Sequence, residues 1–366
     1  MPVGAPLRPG ETLAFHGAMT SEPDGCAPWR RGPFVAHRGA LAHSSPTVAQ
    51  GALVPHNGNM RIAAVQASPV FLDRAATIGV VLERLTEAGA GGADLVAFPE
   101  VFIPGYPVWL DLTNSAAWED PDQQETFARY VDQAVEVHGT EFGQVVEAVR
   151  DTGAFAYVGV VERAASGGSV YCSLVAIDPV DGIVGVHRKL KPTYGERLVW
   201  ADGDGAGLVA HQHQGTTLTG LNCWENWMPL ARTAMYGTGS EVHVAVWPGS
   251  VGLTEDITRF IAKEGRLFVI SVGALYCSED LPPDFPLKDQ LPDGVRYHNG
   301  GTCIAGPDGR WIVEPVNGEE GIVWTDLDLG EVRRQRQNFD PTGHYSRPDV
   351  LHLEVDRTRL APGETA

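Results

Sequence analysis

The chain has 366 residues, and 43% of them are hydrophobic, which is enough to bury the core of one large domain. Its 46 acidic residues outnumber its 27 lysines and arginines, so the formal net charge is −19. Because no basic block interrupts this acidic field, we expect no nucleic-acid partner and no membrane partner. The sequence shows no apolar run that could span a bilayer and no export-signal pattern at its start, which predicts a cytoplasmic protein.

Residues 1–59 contain eight prolines and eight glycines and no sustained helical or strand periodicity. This composition predicts a flexible N-terminal extension. We expect the folded domain to span residues 60–352 and residues 353–366 to form a C-terminal tail.

The chain then alternates between two patterns. Apolar, β-favouring runs predict strands at 62–67, 94–98, 154–161, 170–177, 183–190, 216–223, 241–247, 267–274, 302–307 and 321–329. Helical spacing of apolar residues predicts helices at 74–89, 122–151, 228–237, 254–266 and 329–337. Turn residues in IDPVDGIVG (177–185) and GPDGRW (306–311) predict two hairpins. The pattern is typical of an α/β protein with mixed sheets covered by helices.

The cysteines and histidines do not predict a metal site. The cysteines are few, odd in number, widely spaced and never in a C-x-x-C pair, which argues against both a disulfide framework and a thiolate zinc site: Cys26, Cys172, Cys223, Cys277 and Cys303. His211 and His213 alternate on a strand and share a face, but no third ligand with useful spacing accompanies them. We therefore expect no metal and no cofactor.

Cys223 lies at a turn from a strand to a helix. It ends the run TTLTGLNC, and Pro229 restricts where the next helix begins. Backbone N–H groups and the positive end of the helix would lower the pKa of a thiol placed there, so Cys223 is a candidate nucleophile. A buried structural cysteine is the more common explanation of an isolated one, so this interpretation needs partners.

Two distant segments offer such partners. Glu100 follows the buried run DLVAFP, and its apolar neighbours predict a raised pKa suited to a general base. Lys189 ends the strand IVGVHRKL, where its ammonium group could stabilise charge that develops during nucleophilic addition. Glu196 could be a second buried acid that orients Lys189. Ordinary surface salt bridges remain the alternative for both glutamates.

Four aromatic residues near these segments could form the wall of an apolar substrate pocket, although core packing explains any one of them equally well: Tyr106, Trp109, Trp224 and Trp247.

Four blocks together resemble a known family: FPEVFIPGYPVW (98–109), HRKLKPTYGERLVW (187–200), GLNCWENWMPLAR (220–232) and FDPTGHYSRPDV (339–350). They occur in the order found in the nitrilase branch of the carbon-nitrogen hydrolase superfamily, and the resemblance covers residues 60 to about 352. It implies a four-layer α-β-β-α sandwich. It also implies a catalytic triad of Glu100, Lys189 and Cys223, with Glu196 as an additional structural glutamate. Members of this family commonly form dimers and longer spirals, so the resemblance also implies a homo-oligomer.

The residues around the cysteine favour nitriles as substrates. Amidase-like members tend to carry Cys-Tyr-Asp followed by Phe-Pro-Glu, whereas this chain has Cys223-Trp224-Glu225 followed by Met228-Pro229-Leu230. The resemblance thus implies hydrolysis of a small organic nitrile to a carboxylic acid and ammonia through a covalent thioimidate and thioester.

Several alternatives remain open from sequence. The same residues could act on an amide, on an N-carbamoyl compound, or on cyanide as a hydratase or dihydratase. The chain could also be a non-catalytic binding protein with an inert Cys223. The last alternative is a papain-like hydrolase with His243 or His298 as its base, but no glutamine-containing oxyanion motif precedes Cys223.

Overall fold

The computed structural model of the protein describes residues 58–165 and 167–360. The predicted extension, apart from its last two residues, lies outside this part of the chain, as does the end of the predicted tail. Asn59 is already the first residue of the first strand. Among the described residues, no helix combines the length and the apolar character needed to cross a bilayer.

The thirteen strands of the described chain are β1 (Asn59–Gln66), β2 (Leu95–Ala97), β3 (Phe155–Arg163), β4 (Val170–Asp178), β5 (Gly182–Arg188), β6 (His211–His213), β7 (Thr216–Asn222), β8 (Val242–Trp247), β9 (Phe268–Gly273), β10 (Leu275–Cys277), β11 (Arg296–Ala305), β12 (Trp311–Asn317) and β13 (Gly321–Asp328). The α-helices of the same region are α1 (Arg74–Ala90), α2 (Trp109–Leu112), α3 (Pro121–Asp132), α4 (Thr140–Thr152), α5 (Pro229–Tyr236), α6 (Val251–Gly265) and α7 (Gly330–Arg336).

The strands form two mixed sheets. The first has the order β13-β1-β2-β3-β4-β5, with β1, β2 and β3 parallel. The second has the order β10-β11-β9-β8-β7-β6, with β7, β8 and β9 parallel and β12 paired to β11. Both predicted hairpins are confirmed, since β4 pairs antiparallel with β5 and β11 pairs antiparallel with β12.

Alternation along the strands explains the layers. In β1, Ile62 and Ala64 join a core shared with Val244 and Ile270 of the second sheet. The intervening residues of β1 face the opposite side and pack with residues of α1 and α4. Helix α6 covers the outer face of the second sheet. The expected four-layer α-β-β-α sandwich is confirmed.

The prediction of one helix over 122–151 is wrong. Helix α3 ends at Asp132 and α4 begins at Thr140, and the segment between them pairs with β3. The Val135 N–H donates to the Val161 carbonyl at 2.7 Å, and the Val135 carbonyl accepts from Arg163 N–H at 2.8 Å. The sequence analysis also misses α2 and β10, and for β12 it predicts only the hairpin turn and no strand bounds.

The described end of the chain is fastened to the first sheet. The N–H of Leu360 donates to Asp204 Oδ2 at 3.0 Å, and its carbonyl accepts from Arg188 Nη1 at 3.0 Å. Arg357 Nε donates to the Leu208 carbonyl at 3.0 Å. A Cβ atom at Gly205 would lie 2.0 Å from the Asp356 carbonyl oxygen, so this crossing requires glycine.

Candidate active site

The four predicted site residues come together at the ends of strands. Glu100 follows β2, Lys189 follows β5 and Cys223 follows β7, while Glu196 lies on a 3₁₀ turn over Tyr194–Leu198. All four are buried, with exposed fractions of 1% for Glu100, 1% for Lys189, 3% for Glu196 and 2% for Cys223. Because the first two strands belong to one sheet and β7 to the other, the site lies where the two sheets meet.

The loop that carries Glu100 is tightly constrained. The Glu100 N–H donates to the Trp247 carbonyl at 3.3 Å, and Val101 adopts φ +39°, a conformation that β-branched residues rarely take. A Cβ atom at Gly159 would lie 2.0 Å from the Pro99 carbonyl oxygen, so glycine on β3 allows the loop to approach.

Lys189 joins the two acids. Its Nζ donates to Glu100 Oε1 at 2.9 Å and to Glu196 Oε2 at 2.7 Å, and it lies 5.5 Å from the centre of the Trp200 ring. Burial alone would lower the pKa of Lys189, but the neighbouring carboxylates of Glu100 and Glu196 raise it well above its ordinary value. Lys189 is therefore a permanent cation at the centre of the site.

Glu196 is held from three sides. Its Oε2 accepts from the Thr193 N–H at 2.6 Å as well as from Lys189, and its Oε1 accepts from the Tyr106 hydroxyl at 3.0 Å. With its hydrogen bonds satisfied, Glu196 orients the ammonium group.

Glu100 has one free oxygen. Its Oε1 accepts from Lys189 and from the Cys172 thiol at 3.3 Å, whereas its buried Oε2 has no hydrogen-bond partner among the described residues. Burial raises the pKa of Glu100 to about 7, against the opposing effect of Lys189. The predicted raised pKa is confirmed, and the free Oε2 is available to exchange a proton near neutral pH.

Cys223 lies at the predicted turn. It has φ +46° and begins a 3₁₀ turn over Cys223–Trp227, directly after β7. Ligand atoms of Cys223, Glu100 and Glu196 all lie within 4.8 Å of one another, a cluster dense enough to hold a metal ion. The ammonium group of Lys189 already supplies a positive charge to both carboxylates of this cluster.

The prediction of a lowered thiol pKa is wrong. Burial, and after it the carboxylate of Glu100, raise the pKa of Cys223 well above its ordinary value. The backbone N–H of Trp224 acts in the predicted direction, but it is outweighed. Cys223 is therefore a neutral thiol at rest, and a thiol in this state needs a base before it can act as a nucleophile.

Glu225 connects the two segments that carry Lys189 and Cys223. Its carboxylate accepts from the backbone N–H groups of Leu190 and Asn222, and from His187 Nε2 at 2.9 Å. Burial would raise the pKa of Glu225, but His187 and the two backbone donors lower it. The carboxylate thus stays charged and bridges the two sheets.

The sequence analysis does not identify the roles of Cys172, Trp200 and Glu225, or of Asn226 and His243. Glu225 and Asn226 follow the nucleophile closely, a signal that could have been used. The other three lie 20 or more residues away, and no spacing rule links them to the site. Both ring nitrogens of His243 are engaged, by Asn226 and Thr219 at 2.9 Å each, which argues against His243 as a catalytic base.

The four predicted pocket aromatics divide into two pairs. Tyr106 is partly buried, bonds Glu196 and packs edge-on against Trp200 and His298. Trp224, next to the nucleophile, is 48% exposed. Trp109 and Trp247 are fully buried in core clusters, and the second of these clusters also contains Cys223.

The histidines on β6 serve aromatic packing. His211 and His213 both pack against Phe155, with ring centroids 5.7 Å away in each case. Burial lowers the pKa of His211 to about 4.

Comparison with known proteins places the chain in a family. Residues 61–337 match the carbon-nitrogen hydrolase family. An aliphatic nitrilase of Sinorhizobium fredii is 39% identical over 81% of this chain and 95% of its own length, and one of Rhodococcus rhodochrous is 36% identical over 86% and 87%. The C. elegans NitFhit protein shares the fold, with a TM-score of 0.63 at 14% identity, over 82% of this chain and 68% of its own. The chain therefore belongs to the carbon-nitrogen hydrolase family, in its nitrilase branch.

Proposed function

We propose that the protein is a nitrilase that converts a small organic nitrile to its carboxylic acid and ammonia, with Cys223 as the nucleophile. The observation that carries this proposal is the convergence of Glu100, Glu196 and Cys223 within 4.8 Å around the ammonium of Lys189. The relatives named as nitrilases support the substrate class.

In the first step, Glu100 takes the proton of the Cys223 thiol while the sulfur attacks the nitrile carbon. The free Oε2 of Glu100 is the acceptor, and the same proton then passes to the nitrile nitrogen. A C–S bond forms, one C–N π bond breaks, and the product is a neutral thioimidate.

Lys189 stabilises the nitrogen as it gains negative charge in this addition, because its ammonium is fixed between the two carboxylates before substrate arrives. Glu196 holds that ammonium and does not need to exchange a proton itself.

Hydrolysis completes the cycle. Glu100 takes a proton from a water molecule that adds to the thioimidate carbon and passes it to the nitrogen. The proton of the new hydroxyl then moves to the same nitrogen through Glu100, the C–N bond breaks, ammonia leaves, and a thioester remains. A second water breaks the C–S bond and releases the acid and the thiol. If the C–S bond breaks before ammonia leaves, an amide is released instead.

The pocket that receives the organic group is proposed from position. Tyr106 and Trp224 are the foremost candidates, since one contacts Glu196 and the other adjoins Cys223. Trp109 and Trp247 would shape the pocket from behind, through the core clusters in which they pack.

A substrate panel tests the proposed function. Aliphatic dinitriles, benzonitriles, arylacetonitriles, cyanide and the matching amides are incubated with the protein, and ammonia, acid and amide are all quantified. We expect ammonia and acid from at least one nitrile, none from the matching amide, and none with Cys223→Ala. Turnover of amides alone would show an amidase, and no turnover would leave the binding-protein alternative.

We also propose a homo-oligomer in the cytoplasm. The oligomer is supported by large apolar side chains that are exposed close to Cys223, a feature that marks interfaces: Trp224, Trp227, Met228 and Leu230. The cytoplasmic location is supported by the free thiols of Cys172, Cys223 and Cys303, which suit a reducing compartment. Light scattering after size-exclusion chromatography measures the mass, and a single 39.3 kDa species would contradict the oligomer.

A further inference from the structure

A chain of buried hydrogen bonds runs from the backbone of the nucleophile into the second sheet. Asn226 Nδ2 donates to the Cys223 carbonyl at 2.9 Å, and Asn226 Oδ1 faces His243 Nε2 at 2.9 Å. His243 Nδ1 faces Thr219 Oγ1 at 2.9 Å, which lies 2.7 Å from Ser240 Oγ. The four side chains that follow Cys223 in this chain of hydrogen bonds are each at most 1% exposed.

The direction of these bonds follows from the carbonyl groups at one end. Asn226 Nδ2 also lies 3.3 Å from the Leu221 carbonyl, so the amide nitrogen faces two acceptors and the amide oxygen must face His243. His243 Nε2 therefore carries the proton, and His243 Nδ1 accepts from the Thr219 hydroxyl. A neutral imidazole with its proton on Nε2 satisfies both contacts, with the Thr219 hydroxyl as the donor to Nδ1.

The electrostatic surroundings keep this imidazole neutral. Burial, followed by Arg232 and His187, lowers the pKa of His243 to about 3, against the opposing effect of Glu225. Arg232 itself donates to the Asn226 carbonyl at 3.0 Å and to Glu264 at 2.8 Å. His243 therefore keeps one hydrogen-bonding pattern throughout the range in which the enzyme is expected to work.

The residue at the end of the chain of bonds is strained. Cys223 has φ +46°, a left-handed conformation that residues other than glycine rarely adopt unless their surroundings hold them in it. Asn226 holds the carbonyl of Cys223 itself and contacts that of Leu221, two residues before it. Asn226 thus fixes the backbone on both sides of the N–Cα bond of Cys223. Rotation about that bond would carry the sulfur away from Glu100.

We propose that His243 is a positioning residue for the nucleophile, acting through Asn226 to hold the left-handed backbone of Cys223. The kinetic part of its test rests on the proposed nitrile hydrolysis. His243 does not touch substrate, and its effect is on where the sulfur lies.

The kinetic test compares three variants. His243→Leu removes the donor to Asn226, and we expect kcat to fall about 10- to 100-fold with KM changed less than about threefold. His243→Gln places an amide N–H near the position of Nε2 and should recover most of that loss. His213→Leu replaces another buried histidine, on β6, and should leave kcat unchanged.

The pH profile separates positioning from acid–base catalysis. Because His243 stays neutral, His243→Leu should scale the whole profile of kcat against pH downward without moving its midpoint. A shifted midpoint, or a His243→Gln variant as impaired as His243→Leu, overturns the proposal.

Hydrogen exchange gives a readout that does not depend on the substrate. By mass spectrometry, peptides covering Cys223–Trp227 should exchange at least about tenfold faster in His243→Leu than in the wild type, and at the wild-type rate in His213→Leu. If exchange is faster in His243→Leu but the wild-type protein hydrolyses no nitrile, the proposed function is wrong and the positioning role stands. Unchanged exchange or unchanged kcat overturns the positioning role.

A milder variant covers the case in which His243→Leu does not fold. Thr219→Val removes only the hydroxyl that bonds Nδ1, with little change in volume. We expect a smaller loss of kcat in the same direction, with faster exchange of the same peptides, and wild-type behaviour in both measurements overturns the proposal.

Discussion

Three ionisable groups at the centre of the site depend on one another. The cation of Lys189 restrains the pKa of Glu100, which burial has raised, and the charge of Glu100 helps to keep Lys189 protonated. The same carboxylate raises the pKa of Cys223. A neutral thiol thus lies beside a carboxylate that titrates near neutrality, which is the arrangement that the proposed proton transfer requires.

The pH dependence of the reaction follows from Glu100. Its pKa is about 7, and only the deprotonated carboxylate can accept the thiol proton. Below pH 7 the active fraction should therefore fall by about tenfold per pH unit, so kcat/KM rises with pH and levels off above 7. Steady-state kinetics from pH 5 to 9 measure this limb. A flat profile across this range would assign the base to another group.

Removing the cation should both slow the reaction and shift its pH dependence. Lys189→Met removes the ammonium group that would stabilise the developing charge on the substrate nitrogen, so we expect kcat/KM to fall by about 100-fold or more. Since Lys189 lowers the pKa of Glu100, the acid limb of the residual activity should move to higher pH.

Lys191→Met is the matched control for this variant. Lys191 lies two residues away, is about half exposed and pairs with Asp202 at the surface. Its loss should change kcat/KM by less than about twofold, since exposed pairs contribute little. An equal loss in both variants would show that charge at a distance, and not contact, explains the effect.

Local motifs predicted which residues meet at the candidate site, but not their ionisation. Cys223, Glu100, Lys189 and Glu196 were found from strand ends and from the resemblance of whole blocks. The thiol pKa was predicted from the turn alone, where the helix end lowers it. The larger effect on the pKa comes from burial, which no local window reveals, and after it from Glu100, 123 positions earlier in the sequence.

At the scale of secondary structure, the turn Cys223–Trp227 is the element that assembles the site. It begins with the nucleophile, carries Glu225 to the backbone after Lys189, and carries Asn226 back to the backbone of Cys223. Five consecutive residues thus connect β5 of one sheet with β7 of the other.

Glu225→Ala should destabilise the fold as well as the site. It leaves two backbone N–H groups and His187 without their shared acceptor, and we expect the free energy of unfolding to fall by about 3–5 kcal/mol. Urea denaturation at pH 7 measures the change. Glu147→Ala on α4, where the carboxylate is 67% exposed and pairs with Arg150, is the control and should change it by less than about 0.5 kcal/mol. Equal effects of the two variants would contradict the bridging role of Glu225.

The sequence predicted the type of most helices and strands correctly where the apolar period was regular. The prediction failed where pairing with a distant strand decides the structure. The segment around Val135 continues the helical spacing of α3, yet it pairs with β3, 26 residues later. In strand β12 partly buried and exposed residues alternate over the first five positions, but none is fully buried, and the strand depends on its pairing with β11.

For the molecule as a whole, the ends of the described chain secure the sheet that carries Glu100 and Lys189. Strand β1 pairs with β13 over eight residues, from Asn59 opposite Asp328 to Gln66 opposite Gly321. Beyond α7, the segment at residues 356–360 crosses β5 and bonds the buried Asp204. The first sheet is therefore complete only when both ends of this region are in place.

Arg359→Ala tests the contribution of the final segment. Arg359 Nη1 lies 3.2 Å from Asp204 Oδ1, whose side chain is 3% exposed, so the loss leaves a buried carboxylate with fewer partners. We expect the free energy of unfolding to fall by about 1–3 kcal/mol. Arg347→Ala, which breaks an exposed pair with Asp349, should have almost no effect. Chemical denaturation of both variants decides between a structural fastening and an incidental contact.

The pairing of β1 with β13 also sets an order of events during synthesis. A ribosome delivers residues 59–66 some 260 residues before residues 321–328, so β1 waits for its neighbour β13 while the intervening chain emerges. A nascent chain stalled before Gly321 would hold Glu100, Lys189 and Cys223 yet expose an open sheet edge, a surface that chaperones and aggregation compete for. The first sheet can therefore close only after residues 321–328 have left the ribosome.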